Sequence, residues 1–173
     1  MHAPVFLVDC EFVSRPVHVL FVCLGNICRS PTAHGVLAHK VREAGLSDQI
    51  LVESAATAAF HVGNSADPRT VRTAASRGYD LSQHRARQVQ KADFDRFDFI
   101  LPMDRMNLGN LRALCPADFQ GQLDLFMHFN RRHRSYTVVP DPYSDGPEGF
   151  ELVLDLIEDA AEGLLEHIRQ TRL

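Results

Sequence analysis

Val17-His18-Val19-Leu20-Phe21-Val22-Cys23-Leu24-Gly25-Asn26-Ile27-Cys28-Arg29-Ser30-Pro31 reads as a buried strand running through a short loop into a helix start. Residues 17–22 are mostly apolar and rich in β-branched side chains, which suits a strand covered on both faces. Pro31 opens a helical pattern to about Glu43, and Gly45 closes it. Proline in the first turn and glycine just past the end is the usual asymmetry of helix termini.

The pattern repeats along the chain. Strands are expected at Ile50–Ala55, Asp98–Pro102 and Gln122–Phe126, with helices at about Arg69–Arg77 and Met103–Leu114. Gly78 ends the first of these helices, and loops fall at 58–68 and at Pro140–Gly146. The longest helix follows, with Phe150, Val153, Leu154, Ile157, Ala160, Ala161, Leu164, Leu165 and Ile168 at steady 3,4 spacing. That spacing makes one apolar stripe to be laid against a sheet. Alternating strands and helices imply an α/β fold: a single open, mainly parallel four-stranded sheet with helices on both faces. In such sheets the crevice lies at the carboxyl ends of the strands, here the loops after residues 22, 55, 102 and 126.

A chain of 173 residues makes about one domain and can bury an ordinary core. The formal net charge of −4 argues against a nucleic-acid binder acting through global positive charge. No apolar stretch approaches the ~20 residues of a membrane span. The run Val5-Phe6-Leu7-Val8 lacks a basic flank and is cut by Asp9 and Glu11, unlike a signal peptide. Cysteines at 10, 23, 28 and 115 in so large a core read as reduced thiols, which implies a cytoplasmic setting.

The loop from Cys23 to Ser30 carries the chemistry. Backbone N–H groups of such a loop and of the helix start beneath it form an anion cradle. Arg29 can hold two phosphate oxygens through its planar fork. These donors and this cation favour the anionic form of a thiol at their focus, a nucleophile for phosphoryl transfer. The plain alternative is that Cys23 and Cys28 are packing residues in a strand–helix turn; Gly25, Asn26, Arg29 and Ser30 in the same loop weigh against it. A zinc site lacks a second cysteine pair, and the loop matches neither a Walker A nor a dinucleotide turn. No metal and no cofactor are implied.

Residues Val19–Pro31 resemble the phosphate loop of the low-molecular-weight protein tyrosine phosphatases. The resemblance continues through Val62-Gly63, Asp67-Pro68-Arg69, Ser82-Gln83-His84-Arg85-Ala86-Arg87, Met103-Asp104, Asn107 and Asp141-Pro142-Tyr143, so it spans roughly residues 17 to 168. It implies a flavodoxin-like fold over 17–173, with residues 1–16 as an extension outside it. It also implies hydrolysis of phosphotyrosine and small aryl phosphates through a cysteinyl-phosphate. Cys23 would be the nucleophile, Arg29 the clamp and Asp141 the general acid and base. Leu24, Gly25, Asn26, Ile27, Cys28 and Ser30 would complete the loop, with Asn26, Ser30 and His84 as its supporting network. Phe60 and Tyr143 would wall the slot for an aromatic ring, although the family's usual residue at the first position is larger.

Each assignment has a bland counterpart. Asp141-Pro142 is by composition a turn, with Asp145 a weaker candidate acid; His84 could be a surface histidine, Asp104 with Asn107 a helix cap, and Phe60 a core residue. Cys28, five residues from the nucleophile, is a candidate resolving thiol, or else an apolar filler. The expected partners are a tyrosine-phosphorylated protein as substrate and inorganic phosphate or similar oxyanions as inhibitors, with no nucleic acid or membrane. An arsenate reductase of the same fold would need a later thiol relay, and only Cys115 follows Cys28. A non-catalytic phosphotyrosine-binding module would not need Cys23, Arg29 and Asp141 together.

Overall fold

The computed structural model describes residues 14–173. The weak alternation of Phe6, Val8, Cys10 and Phe12, which suggests an added edge strand or a flexible arm, lies outside the described residues. Four parallel strands, β1 (Val17–Cys23), β2 (Ile50–Ala56), β3 (Phe99–Pro102) and β4 (Gln122–Leu123), lie in the order β2-β1-β3-β4. The helices are α1 (Arg29–Glu43), α2 (Pro68–Ser76), α3 (Asp93–Arg96), α4 (Arg105–Leu114) and α5 (Pro147–Arg172).

Side-chain alternation along β1 divides the core. Val17, Val19, Phe21 and Cys23 join the cluster that holds the apolar faces of α1 and α5. Leu20 and Val22 point the other way, onto Phe94, Phe97 and Leu111. A strand covered on both faces must be apolar at odd and even positions alike, which is how residues 17–22 read. The α5 stripe is buried from Phe150 to Ile168 except Leu165, which is partly buried. Each fully buried Val, Leu or Ile contributes about 1.5–3 kcal/mol. The chain leaves β1 toward β2 and later crosses back to β3 on its other side, so the strand order reverses at β1. A crevice therefore opens beyond its carboxyl end, where the Cys23 loop begins.

The fourth strand is shorter than its apolar run. It covers Gln122–Leu123 only, and Phe126–Phe129 form a 3₁₀ turn instead. Phe126 is fully buried there and meets the Phe21 ring edge-on at 4.7 Å, so core packing overrides strand continuation. Two helix starts also shift. Asp67 and Asp104 cap α2 and α4 by accepting the N–H groups of Arg69 and Asn107, both at 2.8 Å. Met103 therefore stays outside α4, and Asp104 is the cap.

Candidate active site

The Cys23–Arg29 loop is shaped by what holds its carbonyls. Thr57 N–H donates to Cys23 O, Ala58 N–H to Leu24 O and Asp67 N–H to Ile27 O, at 2.9–3.0 Å. His84 Nε2 donates to Asn26 O at 2.7 Å, and Thr32 Oγ1 to Cys28 O at 2.7 Å. Because the peptide unit is planar and trans, carbonyls engaged on the outside turn the following N–H groups inward. The N–H groups of Leu24, Gly25, Ile27, Cys28 and Arg29 are thereby turned toward the inside of the loop, the arrangement of a nest for an anion. The start of α1 adds to it. No side chain caps this helix and no acidic residue sits in its first turn, so its positive end faces the cradle uncompensated.

Asn26 is the hinge of this shape. It is the one non-glycine residue with positive φ, 57°, among the described residues. Asparagine tolerates that region better than most side chains. Both ends of its side-chain amide are engaged. Its Oδ1 accepts from Arg87 N–H at 3.0 Å, and its Nδ2 donates to Ser30 Oγ at 2.8 Å and Ser54 Oγ at 3.0 Å. Ser30 Oγ lies 3.0 Å from Cys23 Sγ. The hydroxyl can accept from Asn26 and give its proton to a thiolate, which ties loop geometry to the sulfur. Burial holds His84 below its ordinary value, partly offset by its bond to Asn26 O. Behind Ser54, His34 Nδ1 sits at 3.3 Å, and burial followed by the facing His84 brings it down to about 4.

Arg29 is buried at 3% exposure. Its Nη1 donates to Asp104 Oδ2 at 2.6 Å and to Val139 O at 3.1 Å, and Nη2 lies 3.7 Å from Asp141 Oδ2. Asp104 therefore caps α4 with one oxygen and fixes the guanidinium with the other. Cys23, Leu24, Gly25, Ile27, Cys28 and Arg29 line a cleft of about 370 Å³ together with Phe60, His61, Asp141, Tyr143 and Ser144. Phe60 and Tyr143 are 77% and 53% exposed, so both are rim residues and neither belongs to the core. Asp145 and Cys115 are not among the lining residues. Burial pushes the Cys28 thiol up to about 12, so it stays protonated beside Cys23.

Sequence reasoning overlooked Ser54, His61 and Ser144, and gave Arg87 no role. Ser54 carries a trace of signal, as a polar residue in an otherwise apolar strand end. The other three reach the site only through the fold.

An open parallel sheet with a cysteine at the base of such a loop and a buried arginine at its end is an arrangement suited to holding a phosphate beside a thiol. A family profile described as low molecular weight phosphotyrosine protein phosphatase matches residues 18–173. The low molecular weight protein-tyrosine-phosphatase of Streptomyces coelicolor is 40% identical over 154 residues, covering 88% of this chain and 93% of that protein. The crystal structure of a protein tyrosine phosphatase from Entamoeba histolytica, with Hepes in its active site, superposes with a TM-score of 0.86 at 37% identity. It covers 91% of this chain and 99% of that one. An arginine phosphatase of Drosophila superposes with a TM-score of 0.80 at 31% identity, over 87% of this chain and 97% of that one. The chain belongs to the low molecular weight phosphotyrosine protein phosphatase family and is a hydrolase. Among the described residues no helix is long and apolar enough to cross a membrane.

Proposed function

We propose that this cleft hydrolyses aryl phosphate monoesters, phosphotyrosine on proteins foremost, through a cysteinyl-phosphate on Cys23. The observation that carries the reading is the convergence of Cys23, Arg29 and Asp141 on one cleft, with Arg29 3.7 Å from Asp141. The inward N–H groups and the Arg29 fork hold three phosphate oxygens, and the Cys23 thiolate attacks phosphorus opposite the tyrosyl oxygen. The S–P bond forms as the P–O bond breaks, and Asp141 passes its proton to the departing oxygen. A tyrosyl oxygen of pKa ~10 leaves poorly without that proton. Asp141, now a carboxylate, takes a proton from water as the water oxygen attacks phosphorus; the O–P bond forms as the S–P bond breaks, phosphate leaves and Cys23 returns to thiolate. Positioning and charge stabilisation supply the rest.

Phe60 and Tyr143 stand as walls for a ring, and a cleft lined by two aromatic side chains suits an aryl ester better than phosphoserine. Inorganic phosphate, as product, fits the same nest and is expected to inhibit competitively. The expected setting is the cytoplasm, without nucleic acid or membrane. Since one structural neighbour is an arginine phosphatase, phosphoarginine is the comparison substrate. Aromatic walls favour the aryl ester. Turnover of phosphotyrosine peptide in the presence of EDTA, exceeding that of phosphoarginine and phosphoserine peptides, is the expected result. Binding without turnover would reduce the site to a phosphotyrosine reader, and arsenate reduction in its place would make the chain a reductase.

Asp141→Ala separates the acid from a structural turn. General acid catalysis is worth on the order of 10²–10⁴-fold where the leaving group needs the proton. The loss in kcat/KM should be of that size on phosphotyrosine and far smaller on a nitrophenyl phosphate. Equal losses on both would send the assignment to Asp145.

Cys28 is the proposed resolving thiol. Peroxide takes the Cys23 thiolate to a sulfenic acid, and the Cys28 thiol condenses with it to a disulfide, releasing water. Both cysteines line the cleft, and burial keeps Cys28 protonated, so oxidant meets Cys23 first. Wild type should lose activity in peroxide and regain it in dithiothreitol, more slowly lost when phosphate is bound. Cys28→Ser should keep most activity yet recover poorly. Full rescue of that variant, or no linked 23–28 peptide by mass mapping, would remove the role.

A further inference from the structure

Arg69 belongs to a motif, Asp67-Pro68-Arg69, that the mechanism above leaves without a task. Its three guanidinium nitrogens are all engaged. Nε and Nη2 donate to the two oxygens of Asp67 at 3.0 and 2.8 Å, and Nη1 donates to the carbonyl of Tyr143 at 2.9 Å. The guanidinium carbon lies 5.3 Å from the Tyr143 ring centre and 4.7 Å from that of Phe150, at the start of α5. Asp67 in turn donates its N–H to Ile27 O in the nucleophile loop at 2.9 Å. On the far side, Tyr143 N–H donates to Asp141 Oδ1 at 3.1 Å. One unbroken path therefore runs from the nucleophile loop through Asp67, Arg69 and Tyr143 to the carboxylate of Asp141.

Pro142 is buried beside Thr70 and Phe150, and few hydrogen bonds hold that end of the acid loop. Tyr143 is 53% exposed, and Asp145 N–H is bonded locally, to Pro142 O at 2.8 Å. The anchors before the acid are Val139 N–H on Met103 O at 2.8 Å and Val139 O on Arg29. Arg69 is the side chain that ties the segment after it to α2 by a hydrogen bond.

We propose that Arg69 is a positioning residue for the reaction, holding the acid loop at working distance from the nucleophile loop. The inference rests on the reading of Asp141 as the general acid. An acid must come within about 2.6–3.2 Å of the leaving oxygen, and a 1 Å misplacement can cost about 10²-fold. The task needs a planar fork between two rings that donates in two directions, which a lysine ammonium does not supply. The competing account is a local surface pair between Asp67 and Arg69, which would be worth little to catalysis.

Leaving-group dependence distinguishes them. In Arg69→Met, kcat/KM for phenyl phosphate should fall ~10–100-fold, while that for the most acidic nitrophenyl phosphate changes less than about threefold. Arg69→Lys should resemble Arg69→Met and not wild type, and it serves as the test should the methionine variant fold poorly. Joined to Asp141→Asn, Arg69→Met should add almost nothing on phenyl phosphate, because residues acting through one group are not additive. An equal loss across all leaving groups, or a double variant whose losses multiply, would overturn the proposal. The Asp141→Asn series alone tests the underlying reading. If it shows no leaving-group dependence the acid assignment fails and the proposal with it. If it shows that dependence and Arg69→Met does not, the Arg69 role alone falls.

Discussion

Cys23→Ser should abolish turnover, with kcat at least ~10³-fold below wild type, while the protein still folds and binds phosphate. The sulfur sits at the end of β1, 3% exposed, at the focus of a nest whose geometry is set by bonds to loop carbonyls. A hydroxyl there keeps its shape and hydrogen bonds, yet it is not ionised at neutral pH and is a far poorer nucleophile. Binding and chemistry are thereby separated, since in the proposed mechanism the nest and Arg29 hold the dianion without help from the sulfur. Arg29→Ala should be comparably inactive for the opposite reason, through loss of the clamp, and should lose phosphate affinity as well. It also leaves the Asp104 carboxylate without the partner now at 2.6 Å, so its fold must be checked by circular dichroism before kinetics are read. Arg29→Lys keeps the charge but not the fork and should rescue little. Residual activity of Cys23→Ser above about a hundredth of wild type, with contaminating phosphatase excluded, would transfer the nucleophile role elsewhere.

The parts of this molecule that a sequence displays are those with local causes. The 17–22 run announces a doubly covered strand because both of its faces need apolar side chains, and the Cys23–Pro31 stretch exposes its chemistry because a phosphate nest is built from consecutive backbone groups. The alternating pattern likewise implies the sheet. What stays hidden depends on partners distant in the chain. Ser54, 28 positions after Asn26, joins the network only once β2 pairs with β1. Arg87 and His84 hold Asn26 from about 60 residues away. Asp104 reads correctly as a cap but gives no hint that its second oxygen holds Arg29. The fourth strand reads too long in the sequence because Phe126 has strand propensity, whereas its native place is set by the Phe21 ring. Besides Leu156, which falls outside the 3,4 spacing, the α5 stripe omits Asp159 and Gly163, which carry no apolar side chain although both are buried. They mark a second docking device on the helix.

Asp159→Ala should cost about 3–5 kcal/mol and lower Tm by roughly 10 °C, a large loss for one side chain remote from the cleft. Asp159 lies within α5 at 0% exposure. Its oxygens accept the N–H groups of Arg131, Arg132 and His133 at 3.2, 2.9 and 3.0 Å, and His133 Nδ1 at 3.0 Å. One turn later Gly163 meets the carbonyl of Phe129, and a Cβ there would fall 1.8 Å from that oxygen. Residues 129–133 are thus bound to α5 by a carboxylate and by a contact only glycine permits. Truncating the carboxylate leaves several part-buried donors without their partner, each costing up to about 1–3 kcal/mol where water does not replace it. Burial alone would raise the carboxyl, but the three backbone donors and His133 outweigh it and hold Asp159 at about 2, against 3.8 when unfolded. The carboxylate form is the one the fold prefers. Its stabilisation is complete above the unfolded value and is lost as pH falls from about 4 toward about 2, amounting to about 2 kcal/mol. Asp159→Asn, which keeps shape without charge, should lack that part of the acid slope, so the difference in Tm between wild type and variant should shrink over this interval. At moderate temperature both variants should keep kcat/KM for aryl phosphates within about twofold of wild type, because neither touches the path from Cys23 to Asp141. A Tm within 2 °C of wild type for Asp159→Ala, or a difference that does not change with pH, would mean that the 131–133 turn holds without this carboxylate.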